Sequence, residues 1–166
     1  MADPATAPDG TALLRSLTAQ RRHVLGILEG LPEEALRRRV LPSGWTCLGL
    51  VRHLALDVER FWFRAVLAGE PVDLEEGDGA WQVPAEMAAE DVFELYRRET
   101  EAADAVLATT PLDAGPRWWP EDLFEGMPPM DLQRTILHVI AETACHAGHL
   151  DAARELIDGR QHFVLT

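Results

Sequence analysis

Four stretches of roughly twenty residues carry apolar side chains at helical spacing, and glycine or proline follows each of them. A chain patterned in this way must bury four apolar stripes against one another, and a helical bundle is the simplest solution. The first stretch runs from Thr11 to Glu29, with Leu13, Leu14, Leu17, Val24, Leu25 and Leu28 at helical spacing, and Gly30 closes it. A short turn of helix is expected at Pro32 to Leu36, where proline suits a first helical position. Pro42-Ser43-Gly44 breaks the chain, and Thr46 is the expected N-cap of a second helix from Cys47 to Ala68. Its stripe is Cys47, Val51, Leu54, Val58, Phe61 and Ala65.

The third helix is expected over Ala88 to Thr109, with Val92, Tyr96, Glu99, Ala103 and Val106 on one side. The fourth begins near Met130, carries Leu132, Ile136, Ile140, Thr143, Ala147 and Leu150 as its apolar stripe, and ends at Gly159. Residues 70–86 are longer than most connections in compact domains and read as a crossover between the second and third helices. No strand is expected, although 161–166 could extend. The expectation is one all-α domain over residues 1–166, a four-helix bundle with a long crossover between helices 2 and 3, and with residues 1–9 flexible.

Composition narrows the partners. The net charge of -13 makes nucleic acid and anionic membrane poor partners, since phosphate binding needs clustered positive charge. No apolar run reaches the roughly 18 to 20 residues that span a bilayer, and no leader pattern opens the chain. A cytoplasmic protein is expected. Cys47 and Cys145 form no disulfide framework, and in helices both are expected to be buried free thiols.

Chemistry concentrates on the fourth helix. On a helical wheel His138, Glu142, His146 and His149 fall within an arc of roughly 80°, beside the apolar stripe. Solvated helix faces seldom collect three imidazoles and a carboxylate without an intervening Lys or Arg. One ion cannot use all four, because His138 and His149 lie about 16 Å apart along the axis. The feasible local pairs are His138/Glu142, Glu142/His146 and His146/His149, and periodicity does not choose among them. One further imidazole from a neighbouring helix would complete a three-ligand site with an open position. On the second helix, His53 offers it, with Asp57 one turn later on the same face to orient it or add a donor. His23 and His162 are expected to be ordinary surface or satisfied core residues. Trp118, Trp119 and Trp81 fall in loops that could line a substrate mouth. A di-iron bundle needs Glu-x-x-His, and the residue three after Glu142 is Cys145.

Trp45-Thr46 and the terminal His-Ala-Gly-His-Leu-Asp resemble the DinB-like metal-binding bundle superfamily. Leu41-Pro42-Ser43-Gly44, Gly49-Leu50-Val51-Arg52-His53-Leu54 and Val58-Glu59-Arg60-Phe61-Trp62-Phe63 resemble its actinobacterial branch, which includes mycothiol S-transferases. The resemblance covers nearly the whole chain and implies His53, Glu142 and His146 as metal ligands. Many DinB-like proteins carry a third histidine where this chain has Glu142; the mycothiol-dependent maleylpyruvate isomerase group is similar in using glutamate there. That group also has a second domain that this chain is too short to hold, so isomerase activity is not expected. Asp57, His138, His149, Trp118 and Trp119 are then pocket or supporting residues.

The resemblance further implies a metal-dependent transferase of a small-molecule thiol, mycothiol, to electrophilic small molecules, and a homodimer. Zinc suits one carboxylate and two imidazoles best, although nickel, manganese or iron would tolerate the same donors. The alternative is a non-catalytic or stress-linked metal-binding protein whose open site holds water or an unknown ligand. A bundle that dimerises and binds nothing is the third reading.

Overall fold

The computed structural model describes residues 10–161. Among them every regular element is helical: α1 (Gly10–Leu28), α2 (Glu33–Leu36), α3 (Cys47–His53), α4 (Ala89–Thr109) and α5 (Leu132–Asp158). The expected flexibility of 1–9, the extension of 161–166 beyond its first residue, and His162 lie outside the described residues.

The caps explain where the helices start and stop. Thr46 Oγ1 accepts the Gly49 N–H at 3.0 Å, so α3 begins where a threonine can satisfy an orphan donor. Asp131 does the same for Arg134 N–H at 2.8 Å at the start of α5. Gly159 ends α5 in the left-handed conformation, φ 77°, which glycine reaches without a side-chain clash.

The second long helix departs from expectation. After His53 it continues without a break as a π-helix, Leu54–Leu67, in which bonds such as Ala68 N–H to Phe63 O (3.0 Å) reach back five residues. Its buried set includes Leu54, Leu56, Val58, Trp62, Phe63 and Val66, so the segment is covered on nearly all sides. Asp57, Arg60 and Arg64 mark the one edge left partly open, and their spacing of three to four residues fits an α-helix as well, so the sequence pattern does not report the wider pitch.

Cross-helix contacts give the topology. His23 Nε2 meets Asp151 Oδ2 at 2.9 Å, and Arg154 Nη1 donates to the Ile27 and Glu29 carbonyls at 2.7 and 2.9 Å. Helices α1 and α5 therefore run side by side in the same direction. The π-helix and α4 also run in parallel: Arg60 and Arg64 reach Glu99, and just beyond the end of α4 Arg117 N–H donates to Val66 O at 3.1 Å. Only a long return can join consecutive parallel helices, and residues 68–88 supply it. Gly10 lies beside Leu112, so α1 starts where α4 has ended and the two parallel pairs oppose each other.

The core is apolar except for a few buried charges. Arg21 Nε and Nη2 donate to the two Glu59 carboxylate oxygens at 2.7 and 2.6 Å, and Nη1 reaches Asp104 at 2.6 Å. Burial pushes the Glu59 carboxyl up, and the guanidinium fork of Arg21 opposes that push. Two expectations fail. Leu14 is exposed although it shares a face with Leu17, because burial along α1 begins only at Leu17 and Leu14 lies one turn nearer the start of the helix. Cys145 is also exposed, since its place on α5 faces out between the buried Thr143 and Ala147, whereas Cys47 is buried as expected.

Candidate metal centre

The two elements that carry the donors are α3 and α5. His53 is the last residue of the α-helical part of its helix, just before the π-helix begins. Glu142 and His146 lie one turn apart on α5, and Glu142 Oε1 is 3.7 Å from His146 Nε2. One ligand atom each from His53, Glu142 and His146 falls within 4.8 Å of the others, and all three residues are half-buried. The His53 and His146 rings meet edge to face with centroids 5.0 Å apart.

The donors fit a divalent ion. Donor atoms around one zinc lie roughly 3 to 4 Å from each other, so a group spread over no more than 4.8 Å is only slightly looser than a closed site. His53 Nδ1 is 2.8 Å from Asp57 Oδ2, which assigns the proton to that nitrogen and turns a lone pair outward from Nε2. That Nε2 is buried and has no hydrogen-bond partner among the described residues. Nδ1 of His146 is in the same condition. Buried polar nitrogens are normally paired, so the orphaned His53 Nε2, in a group with a carboxylate and a second imidazole, is suited to an electrophile; on His146 it is Nε2, the other ring nitrogen, that stands near Glu142. Burial, and after it the neighbouring His53, hold the His146 imidazole down at about 4 against the pull of Glu142. It is therefore neutral at pH 7, the form that can donate a lone pair.

Trp81 covers this group. Its indole stacks on the His53 ring at 4.1 Å with 16° between the planes, and meets His146 edge to face at 5.7 Å. The crossover is seated by two α3 residues. Gly49 lets the Trp81 carbonyl approach to 2.4 Å of where a Cβ would stand, and Arg52 Nη1 donates to Gly79 O at 2.5 Å. A glycine in mid-helix signals a close backbone approach, so this contact had a trace in the sequence. Neither Gly49 nor Arg52 stood out there as a functional residue.

The other candidates lie around the group. His138 packs against Trp62 at 4.6 Å and is not among the converging donors. His149 lies 5.6 Å from His146 and 5.8 Å from Trp45, at the rim. Of the three local pairs, Glu142/His146 is the one that His53 approaches. Trp119 packs against Trp62 and Phe124, and Trp118 against Phe61, forming an aromatic cluster on the His138 side.

Helices in two opposed parallel pairs, with a His/Glu/His group between the second and last long helices, define a DinB-type bundle. A crystal structure of a DinB-like protein from Bacillus cereus superposes with a TM-score of 0.67 at 17% identity, covering 93% of this chain and 97% of that one. The profile of the mycothiol-S-transferase family matches residues 12–159, and the chain belongs to that family. No curated protein matches the sequence. Among the described residues no helix is long and apolar enough to cross a membrane.

Proposed function

We propose that the chain is a metal-dependent transferase of a low-molecular-weight thiol, mycothiol foremost, to electrophilic small molecules, with His53, Glu142 and His146 as the ligands. The observation that carries the reading is the convergence of one ligand atom each from His53, Glu142 and His146 within 4.8 Å, in a chain whose family is named for that transfer. When bound, a divalent ion, zinc first and nickel, manganese or iron after it, would supply Lewis acidity and a residual charge near +1 that lower a thiol's pKa.

The chain's own groups have defined parts in this reading. Asp57 holds His53 in the tautomer whose Nε2 is free. Trp81 keeps water off the stacked face of His53. Cys47, pushed up to about 11 by burial, stays protonated at neutral pH and is not the nucleophile. The substrate exchanges its S–H bond for an S–C bond, the proton passes to solvent, and the leaving group departs from the electrophile. Within this reading the protein is a single-domain, cytoplasmic homodimer.

The test uses protein purified without a histidine tag. Elemental analysis is expected to find about one divalent ion per chain, and the loaded protein is expected to accelerate coupling of mycothiol to a chlorobimane. His53→Ala is expected to lose both the metal and the acceleration. Equal rates for wild type and variant would remove the assignment, and bound metal without thiol turnover would favour the non-catalytic reading.

A further inference from the structure

We propose that the open cavity beside the candidate metal centre binds the polyhydroxylated, uncharged body of the thiol substrate. The inference rests on the thiol-transfer reading and adds to it which surface recognises everything other than the sulfur. The cavity measures about 550 Å³, within the range of small-molecule sites, roughly 300 to 1,000 Å³. Arg39, Ser43, Trp45, Asp78, Trp81 and Gln82 line it. Two of these walls are shared with the donor group: Trp81 stacks on His53, and Trp45 packs on His149 beside His146. Trp81 is therefore the partition between the cavity and the donors, and a thiol borne on a flexible arm would pass its edge to reach them.

The lining selects the chemistry. Indole faces suit the flat C–H faces of a sugar or cyclitol ring, and planar polar groups around them suit its hydroxyls. Arg39 offers a fork of donors with no hydrogen-bond or ion-pair partner among the described residues. Asp78 is joined to Gln82 by a 3.0 Å hydrogen bond and keeps acceptor capacity. Charge decides against an anion. Arg37, the other cation of the cavity, is already held by Glu33 at 2.9 and 3.0 Å, and Asp78 balances Arg39. A phosphate or carboxylate would meet one free guanidinium and one carboxylate, a poor exchange for its hydration. A wholly apolar ligand would strand the polar lining. An uncharged polyol ring satisfies both kinds of wall.

Mycothiol carries its cysteine on a glucosamine–inositol body, which supplies the probe. Metal-loaded protein is titrated with N-acetylglucosaminyl-inositol, in which an acetyl group replaces the cysteine and keeps the nitrogen uncharged, and tryptophan fluorescence is followed. Saturable binding is expected, weakened roughly tenfold by Arg39→Gln, the loss of about one charge-assisted hydrogen bond. Glutathione, an anionic thiol without a sugar, is expected to leave the signal unchanged. No saturable response to the glycoside, or a response to glutathione that Arg39→Gln abolishes, overturns the proposal.

A second arm compares transfer to a bimane from mycothiol and from N-acetylcysteine. The preference for mycothiol is expected to fall roughly tenfold in both Arg39→Gln and Trp45→Ala. An unchanged preference removes the cavity assignment and leaves thiol transfer standing. Absence of transfer from either thiol by wild type removes the transfer reading, and the fluorescence arm then still judges the cavity.

Discussion

Arg21→Met isolates the buried ion pair that ties α1 to the helix bearing His53. Wild-type Arg21 makes two charge-assisted hydrogen bonds to Glu59, whose side chain is 1% exposed, and one to Asp104, whose side chain is 62% exposed. The Asp104 bond is solvent-screened and contributes little. Removing the guanidinium leaves Glu59 buried without its partner, and breaking such a pair from one side costs about 3 to 5 kcal/mol. Against a total stability of about 5 to 15 kcal/mol, that is a large fraction. With an m-value near 2 kcal/mol/M, the urea midpoint is expected to fall by roughly 2 M.

The loss has a defined pH dependence. Burial raises the Glu59 carboxyl, and in the variant no guanidinium opposes it. A carboxyl raised in the folded state holds its proton longer than in the unfolded chain, so stability falls as pH rises through that interval. The gap between variant and wild type is therefore expected to narrow below pH 4.5, the ordinary value of the group, and widen above it. Arg21→Met/Glu59→Leu is expected to recover most of the midpoint, since an apolar pair strands no charge. A single variant within about 1 kcal/mol of wild type, or a penalty constant across pH, would refute the reasoning.

Three shorter predictions follow from the site and its supports. Asp57→Asn removes the carboxylate that orients His53 and is expected to weaken metal binding roughly 10- to 100-fold in a chelator competition; unchanged affinity would dismiss Asp57 as a support. Gly49→Ala sets a methyl against the Trp81 carbonyl and is expected to cost about 1 to 3 kcal/mol by chemical denaturation, with Trp81 lifted from His53 and its fluorescence changed. Although burial pushes the Glu99 carboxyl up, hydrogen bonds from Arg60 and Arg64 outweigh this and hold it below 4.5, so its contribution is present above that pH and is lost on further acidification. A flatter acid limb in the denaturation profile of Glu99→Gln checks this.

What the sequence disclosed follows from which forces are local. The α4 stripe of Val92, Tyr96, Glu99, Ala103 and Val106 is buried as its spacing predicts, including the glutamate. Thr46, Asp131 and Gly159 act where the chain turns, so helix ends were legible to within a residue or two. The π-helix was not, because Asp57, Arg60 and Arg64 recur every three to four residues along the uncovered edge, a spacing that an α-helix accommodates as readily. The Arg21–Glu59 pair was not legible either, since nothing local to the two residues says that they meet across the bundle. The wheel offered three donor pairs on α5, and only the placement of α3 separates them. The Trp81 cover over His53 depends on Gly49, whose meaning appears once the crossover is folded back.

The pairing of α1 with α5 has a consequence for synthesis on the ribosome. The first helix has its parallel neighbour at the far end of the chain, and the imidazole at 53 must wait for partners at 142 and 146. Local helices can form early, but these contacts are among the most distant in sequence and close late. A nascent polypeptide halted before α5 would hold an exposed α1 face and His53 without Glu142 and His146, so the three donors can meet only after α5 has been made.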